Sequence, residues 1–287
     1  MTPNKTAPLT TVRAGTYLHH LLVFSPEPER LARFYGDAMD MTVSQYDAKT
    51  WLCTGPERYF LVGSGPARAL GHAAFACRDR EGLEDIRTRS EQEGLQPKPF
   101  ASSFLADGAF SVRDPDGNTI VFGFSETGPA RGHGLKGRLQ HLTLATQNVR
   151  AIEHFYADKL GFGVSDRVLN TKGEITTCFM RSNHEHHTLA CFYQERQGVD
   201  HYSFEAGEWT AIRDWCDRFA ERNIPLIWGP GRHGPGNNIF IFIEDPDGNW
   251  VEVSAEIEVV YDRPTREWPH AERTLNLWGR AIMRTPV

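Results

Sequence analysis

Two hairpin patterns dominate the distribution of apolar and polar residues along the chain. In residues 237–256, an apolar run from Ile239 to Ile243 precedes the tetrapeptide Asp245 to Gly248, and a second run follows from Trp250 to Ser254. Proline fixes φ and glycine accepts a positive φ, so the tetrapeptide predicts a tight turn between two strands. Residues 111–126 repeat this pattern. The chain therefore contains one strand–turn–strand unit twice.

The elements before each hairpin are also repeated. Residues 138–162 match residues 17–41 position for position, so Phe34 aligns with Phe155 and His20 with His141. Each copy begins with an apolar strand followed by a helix whose apolar residues recur at helical spacing. The first half then predicts short strands at 51–53, 59–62 and 71–77 and a helix over 81–94. The second predicts strands at 176–180, 187–193 and 201–205, a helix over 210–223 and a glycine-rich loop over 229–238.

These repeats predict two tandem domains. The expected divisions are a disordered or strapping leader at 1–15, an N-terminal domain at 16–126, a Gly- and Pro-rich linker at 127–137, a C-terminal domain at 138–260 and a tail at 261–287. Trp268 and Trp278 in the tail predict that it packs on another part of the protein.

Charge and composition narrow the function classes. The net charge is −6 and the pI is near 6.1, which argues against a nucleic-acid or anionic-membrane surface. We find no apolar run long enough to span a membrane and no apolar segment of a secretory signal. The five cysteines lack CxxC spacing, so free thiols in a reducing cytoplasm are favoured over disulfides or a zinc ribbon.

A candidate metal site lies in the second half. His141, His201 and Glu252 each fall inside an apolar, β-rich segment, and each belongs to a different predicted strand. A buried carboxylate is costly unless it is paired or bound to a metal. Two imidazoles and one carboxylate form the facial triad of non-haem Fe(II) sites, and Mn(II) suits the same ligands. The three remaining positions of an octahedral ion leave room for a chelating diol and for O2.

The first half serves as an internal comparison. His20 aligns with His141 and His72 with His201, but Val121 stands where the second half has Glu252. Two histidines without the anion hold Fe(II) or Mn(II) poorly, so we expect hydrogen-bonded core histidines there. Taken singly, each of the three second-half residues favours a separately satisfied polar group. Their equivalent repeat positions favour the metal.

From about Tyr17 onward, the paired modules, the three candidate ligands and the phrase around Glu252 resemble the type I extradiol ring-cleavage dioxygenases. These belong to the vicinal oxygen chelate superfamily, which also contains glyoxalase I and the bleomycin-resistance proteins. The resemblance implies an α+β fold of two tandem domains. Each would be built of paired βαβββ modules that form a partly open mixed β-barrel with helices outside. The first domain would carry a degenerate metal site.

Two further histidines gain roles from the resemblance. His187, in NHEHHTLACF, matches the family's acid/base residue, which faces the bound oxygen. Alternation along its predicted strand puts His187, Leu189 and Cys191 on one face. A surface cluster is the expected state of His184 and His186. His233, in GPGRHG, matches the loop histidine that hydrogen-bonds the substrate hydroxyl; the residues alone are equally compatible with an exposed turn histidine.

The sequence departs from the family pattern in the predicted substrate-binding residues. Phe242 replaces a tyrosine that orients the substrate, so one hydroxyl donor is lost. The stretch Ile227-Trp228 lies where homoprotocatechuate-type members have a carboxylate-binding arginine, and Arg232 is the only arginine beside the loop histidine. We therefore expect a catechol with an apolar substituent. The tail is similar to the C-terminal lid of that subgroup.

The resemblance implies an oxidoreductase that inserts both atoms of O2 into a catechol-type diol, with ring opening to a muconic semialdehyde-type product. Fe(II), with Mn(II) as the alternative, would be the cofactor. Family members are often homo-oligomers, which makes a dimer or tetramer the expectation. A metal-free, bleomycin-resistance-like binding protein and another metalloenzyme of the superfamily are the alternatives. A glyoxalase-like isomerase would need a second carboxylate where His141 or His201 stands.

Overall fold

The computed structural model describes residues 9–126 and 134–284. The first half contains three helices and eight strands, and the predicted elements occur among them in the predicted order. Their bounds are α1 (Thr10–Arg13), β1 (Tyr17–Ser25), α2 (Pro28–Ala38), β2 (Thr42–Asp47), β3 (Thr50–Gly55), β4 (Arg58–Ser64), β5 (Leu70–Cys77), α3 (Arg80–Gln92), β6 (Lys98–Pro99), β7 (Phe110–Arg113) and β8 (Thr119–Phe124).

The second half repeats this order and adds a strand and a short helix from the tail. Its elements are β9 (Arg138–Thr146), α4 (Val149–Glu153) continued by a π-helical segment (His154–Lys159), β10 (Gly163–Leu169), β11 (Ile175–Arg181), β12 (Leu189–Tyr193), β13 (Gly198–Gly207), α5 (Trp209–Glu221), β14 (Trp228–Arg232), β15 (Ile239–Glu244), β16 (Trp250–Ala255), β17 (Arg266–Pro269) and α6 (Glu272–Leu275).

Each half forms one mixed sheet. The strand orders are β2-β3-β4-β1-β5-β8-β7-β6 and β14-β15-β16-β13-β9-β12-β11-β10-β17. In both halves the first strand pairs antiparallel with the strand that opens the second module, as β1 does with β5 and β9 with β13. The sheets curve without closing, which confirms the predicted α+β class and the partly open mixed barrel. The domain boundaries at 126 and 137 stay a prediction.

The helices cover the sheets because one face of each is apolar. In α2 the residues at helical spacing, Leu31, Ala32 and Tyr35, are buried. In α5 the buried residues include Trp215 and Phe219. Burying each such side chain contributes roughly 1.5–3 kcal/mol, which fixes the helices on the outside of the strands.

Each half also holds the turn of the other half's closing hairpin. The Tyr35 hydroxyl of α2 donates to Asp245 Oδ2 at 2.7 Å. The Tyr156 hydroxyl donates to Asp114 Oδ2 at 3.1 Å. Tyr35 and Tyr156 are repeat-equivalent, as are the two aspartates that begin the turns. These reciprocal buried bonds fix the hairpin that carries Glu252 against the first half.

Several sequence predictions need correction. The predicted glycine-rich loop at 229–238 contributes to β14, because Gly231 and Arg232 pair with Phe240 and Ile239 of β15. Strands β2, β10 and β17 were not predicted, since their side chains alternate weakly between apolar and polar. The leader is not disordered from Thr10 to Arg13, where α1 forms, and it straps the second half through Thr11, whose hydroxyl donates to the Leu160 carbonyl at 2.5 Å. Residues 1–8 and 127–133 lie outside the described residues.

The tail packs as its tryptophans predict. The Trp268 indole donates to Asp166 Oδ2 at 2.8 Å, and the Trp278 ring packs edge-on against Trp209 at 5.9 Å. No helix among residues 9–126 and 134–284 is long and apolar enough to cross a membrane.

Candidate metal centre and pocket

Three neighbouring strands carry the predicted ligands. In the second sheet, β13 lies between β9 and β16, and Ser203 of β13 is the cross-strand partner of both His141 and Glu252. His201 lies two residues from Ser203 and therefore projects from the same face of the sheet. Each of the three residues lies within a largely apolar strand. Pairing of these strands then brings the three side chains together.

The ligand atoms converge on one point. His141 Nε2 lies 2.9 Å from Glu252 Oε2 and 3.4 Å from His201 Nε2, and His201 Nε2 lies 3.6 Å from Glu252 Oε2. Metal–ligand bonds of about 2.1 Å put adjacent ligands of an octahedral ion roughly 3.0 Å apart. Within the described residues, this trio is the one group of three or more potential ligands close enough to share an ion.

Hydrogen bonds on the far side of each ring orient the two imidazoles. His141 Nδ1 donates to Gln140 Oε1 at 2.5 Å, and the Gln140 amide donates to the His187 carbonyl at 3.0 Å. His201 Nδ1 donates to Asp200 Oδ1, also at 2.5 Å. Protonation at Nδ1 leaves both Nε2 lone pairs directed at the common point, as a metal requires.

The pKa shifts caused by burial and by neighbouring charges agree with this set of metal-binding groups. Burial lowers the pKa of His141 below its usual value, although nearby Glu252 opposes the shift. Burial would raise the pKa of Glu252, but the adjacent His141 and His233 together outweigh it and hold that pKa well below the usual value. Burial would likewise raise the pKa of Asp200, yet Arg284 and the bond from His201 hold it far lower. A neutral His141 beside an ionised carboxylate is the combination of protonation states that binds a divalent ion.

His187 lies in the pocket, but not for the reason that strand alternation predicts. Strand β12 begins only at Leu189. Leu189 and Cys191 pack in the main core, whereas His187 lines the pocket together with Phe192. The predicted shared face is therefore wrong, because the chain before β12 is irregular. The His187 ring lies 4.4 Å from that of His141.

His186 is not part of a surface cluster. Its side chain is fully buried, and only His184 of the two is exposed. His186 Nδ1 lies 2.9 Å from His187 Nδ1, and its Nε2 lies 3.0 Å from Asp166 Oδ2.

His233 follows directly after β14 and faces the metal centre. Its Nδ1 donates to the Leu275 carbonyl at 2.5 Å, and its ring stacks on Phe240 with centroids 3.9 Å apart. Its Nε2 lies 3.6 Å from Glu252 Oε1. With Nδ1 protonated, Nε2 is free to accept a hydrogen bond from a bound molecule. Glu252 Oε1 is also held by the Asn238 amide at 3.2 Å.

A pocket opens beside these residues, and most of its wall is apolar. Trp228 and Phe242 stack on each other with centroids 5.3 Å apart and both line it. The tail supplies one side of the wall, so this segment covers the pocket as a lid would. The remaining lining residues are Thr143, Phe179, Phe192, Pro235, Leu275, Ile282 and Arg284.

Arg232 is the one predicted site residue that the structure does not bring to the pocket. Its guanidinium donates to the Asn237 carbonyl at 2.7 Å and pairs with Glu256 at 2.9 Å. It also lies over the Trp278 ring, 5.2 Å from the centroid. The register of β14 shifts between Trp228 and Gly231, so Arg232 does not share the pocket-facing side of Trp228.

Sequence reasoning missed the residues that support the ligands. Asp200 had a usable signal, since an acidic residue directly precedes a predicted ligand inside an apolar strand. Gln140 had a similar signal, as a polar residue directly before His141 in an apolar strand. Arg284 had none, because it comes from the far end of the tail. Its guanidinium binds both Asp200 oxygens, at 2.9 and 3.1 Å, and lies 3.9 Å over the Trp250 ring.

Comparison with known proteins agrees with this site and fold. The profile of the Glyoxalase/Bleomycin resistance protein/Dioxygenase superfamily matches residues 138–253. The chain contains a vicinal oxygen chelate domain of that superfamily and resembles its extradiol dioxygenases. Metapyrocatechase 2 of Cupriavidus necator is 29% identical over 193 residues, which span 58% of this chain and 59% of that protein.

Two solved structures share the fold. A variant of homoprotocatechuate 2,3-dioxygenase from Brevibacterium fuscum superposes with a TM-score of 0.80 at 24% identity, over 97% of this chain and 81% of that one. The Mn(II)-bound glyoxalase from Novosphingobium aromaticivorans also gives 0.80, at 21% identity, over 93% and 91%. Since these two proteins differ in activity, the fold alone does not choose a reaction.

Proposed function

We propose that this protein is an extradiol-type dioxygenase that opens the ring of an apolar-substituted catechol with O2, using Fe(II) or Mn(II). The observation that carries the proposal is the convergence of His141, His201 and Glu252 beside a pocket that also presents His187 and His233. Two imidazoles and a carboxylate that leave open positions are the donor set of non-haem iron oxygenases.

The residues fit the ion on grounds of geometry and chemistry. The Nε2 atoms of His141 and His201 face the Glu252 carboxylate, which is ionised and buried. Without an ion, two lone pairs and an anion would be directed at one another. When bound, the ion would act as a Lewis acid that favours the anionic form of a diol and provides the place where diol and O2 meet.

The two further histidines have separate tasks. His233 would accept a hydrogen bond from a diol hydroxyl at Nε2, since the Leu275 carbonyl holds its other nitrogen protonated. Burial lowers the pKa of His187 well below its usual value, so this imidazole is neutral at rest. It can therefore take a proton from the diol and return it to an oxygen atom during ring opening.

The pocket favours an apolar substituent on the ring. Among the pocket-lining residues that the structure describes, Arg284 is the one permanent cation, and Asp200 already accepts from it through both oxygens. Trp228, Phe242 and Ile282 present apolar surface instead. A carboxylate substituent would lose its hydration there without gaining an unpaired cation.

Reconstitution tests the proposal. The full chain is loaded anaerobically with Fe(II) or Mn(II), metal content is measured, and O2 uptake is followed with catechol, 3- and 4-alkyl or aryl catechols and 3,4-dihydroxyphenylacetate. We expect about one ion per chain, uptake with a yellow ring-opened product, and a preference for the apolar catechols. Glu252→Gln, which keeps the shape but removes the charge, serves as the matched metal-free control.

Two outcomes would contradict the proposal. A wild-type chain that binds catechols but retains no metal would favour a metal-free binding protein. A chain that retains one ion without O2 uptake on any catechol would favour another metalloenzyme of the superfamily. A preference for 3,4-dihydroxyphenylacetate would contradict the substrate class alone.

A further inference from the structure

A buried chain of polar side chains lies behind His187. His187 Nδ1 is 2.9 Å from His186 Nδ1, and the two rings are nearly perpendicular, at 88°. On the other side of its ring, His186 Nε2 is 3.0 Å from Asp166 Oδ2. The two atoms are in close contact without the geometry of a hydrogen bond. His186 and Asp166 are both fully buried, so neither exchanges these partners for bulk water.

Two residues of the tail hold Asp166, which lies at the end of this series of polar side chains farthest from His187. Arg263 donates to Asp166 Oδ1 at 2.9 Å, and the Trp268 indole donates to Oδ2 at 2.8 Å. Asp166 lies at an irregularity of β10, where the register shifts between Val164 and Asp166. With donors on both oxygens, Asp166 is an ionised acceptor that faces His186.

For a neutral His186, the Asp166 carboxylate sets the order of donors and acceptors along this series of side chains. A carboxylate only accepts, so the nitrogen of His186 that faces Asp166 carries the hydrogen. In a neutral His186 this leaves Nδ1 unprotonated, and it must accept from His187 Nδ1. His187 then has its hydrogen on Nδ1, and its Nε2 is the acceptor left for the pocket that the ring lines.

We propose that His186 and Asp166 are positioning residues for His187, which fix its ring orientation and present its Nε2 to the pocket as a hydrogen-bond acceptor. The alternative is a purely structural His–Asp pair that fills the core. This alternative is less favoured because His186 Nδ1, the ring nitrogen that does not face Asp166, contacts the His187 side chain. Both rings also pack on Phe179, at 5.6 and 5.1 Å. The inference rests on the proposed function for its catalytic meaning, but its geometry can be tested separately.

The first measurement needs no enzyme activity. Histidine side chains of the full chain are labelled with ¹⁵N, and two-dimensional NMR reports which ring nitrogen carries the hydrogen, both without added metal and with diamagnetic Zn(II). We expect a single form of His187 with Nδ1 protonated and Nε2 unprotonated. Asp166→Asn and His186→Phe should each replace it with a mixture of the two tautomers. Wild-type His187 protonated at Nε2 would overturn the proposal.

Kinetics of the metal-loaded protein give the second measurement. In Asp166→Asn and His186→Phe we expect kcat to fall about 10- to 100-fold, less than on removal of His187 itself, while KM and metal content stay unchanged. Asp262→Asn is the control, because Asp262 lies at an exposed position in the tail. If both variants keep kcat within twofold of this control, the proposal fails. If the tautomers behave as expected but wild type oxidises no catechol, the proposed function fails and the positioning role stands.

Discussion

The two halves of the molecule each place two nearly perpendicular imidazoles at the centre of a sheet. His20 and His72 have centroids 5.2 Å apart at 89°, and His141 and His201 have centroids 5.5 Å apart at 79°. The register is also shared, since Val121 pairs with Ala74 as Glu252 pairs with Ser203. The halves therefore keep one scaffold and differ at the third position, where only the second half has a carboxylate.

The space around the first pair is filled by aromatic rings. Phe104 packs on His20 at 5.1 Å, and Phe100 packs on His72 at 5.1 Å. His20 is hydrogen-bonded to His19, as expected for a core histidine, but His72 Nε2 has no hydrogen-bond partner within the described residues. The expectation therefore holds for His20 and is wrong for that nitrogen of His72. The comparison shows that a histidine pair can serve as core packing where the carboxylate ligand and the open pocket are absent.

Making the second half like the first gives the largest expected effect. In Glu252→Val, two imidazoles remain without an anionic ligand, so metal content should fall from about one ion per chain to near zero. Metal analysis after anaerobic loading and gel filtration measures this. A Glu252→Val chain that retains a full equivalent of metal would break the comparison.

The reciprocal change tests whether the carboxylate alone is sufficient. Val121→Glu buries a carboxylate among packed aromatic rings, so we expect no second ion and a loss of more than about 3 kcal/mol in the free energy of unfolding. Urea denaturation and metal analysis follow the two effects, with Val121→Met as the size control. A second equivalent of bound metal would show that the first half needs only its missing ligand.

His187 has no histidine counterpart in the first half, where the corresponding register position is Arg58, whose guanidinium binds the Met39 and Gly137 carbonyls. His187→Ala should retain the metal and reduce kcat by about 10²- to 10⁴-fold, because an acid/base group is lost. Steady-state O2 uptake with parallel metal analysis checks this. Unchanged turnover would refute the role of His187.

The support of His201 is also specific to the second half. Asp200→Asn leaves the His201 ring without its anionic partner, and we expect metal affinity to weaken about 10- to 100-fold. Competition with a chelator measures the dissociation constant. Asp262→Asn, at an exposed position in the tail, is the matched control and should bind metal like wild type.

Phe242→Tyr should have the smallest effect. It adds one hydroxyl at the wall beside His201, whose ring lies 5.3 Å away. One added hydrogen bond is worth about 0.5–1.5 kcal/mol, so a roughly two- to tenfold rise in kcat/KM for catechol is expected. Progress curves of product formation measure it. A loss of activity would mean that the pocket is adapted to the bare phenyl ring.

The sequence by itself determined the repeated architecture and the three converging residues. Strand periodicity and turn chemistry act over a few residues, so they locate β9, β13 and β16 directly. The 121-residue offset then aligns His20 with His141, and alignment of the two Asp-Pro-Asp-Gly turns exposes the asymmetry between Val121 and Glu252. These features are readable because each depends on local spacing or on a comparison of one half with the other.

The tertiary structure alone decided what surrounds those residues. From the sequence, His186 is expected to be a surface histidine. In the fold it is buried against Asp166 of β10, which Arg263 and Trp268 of the tail hold in place. Arg232 and Arg284 are equally charged in the sequence, yet packing turns Arg232 away from the pocket and brings Arg284 to Asp200. Hydrogen-bond partners and burial depend on residues far apart in the chain, so no local pattern encodes them.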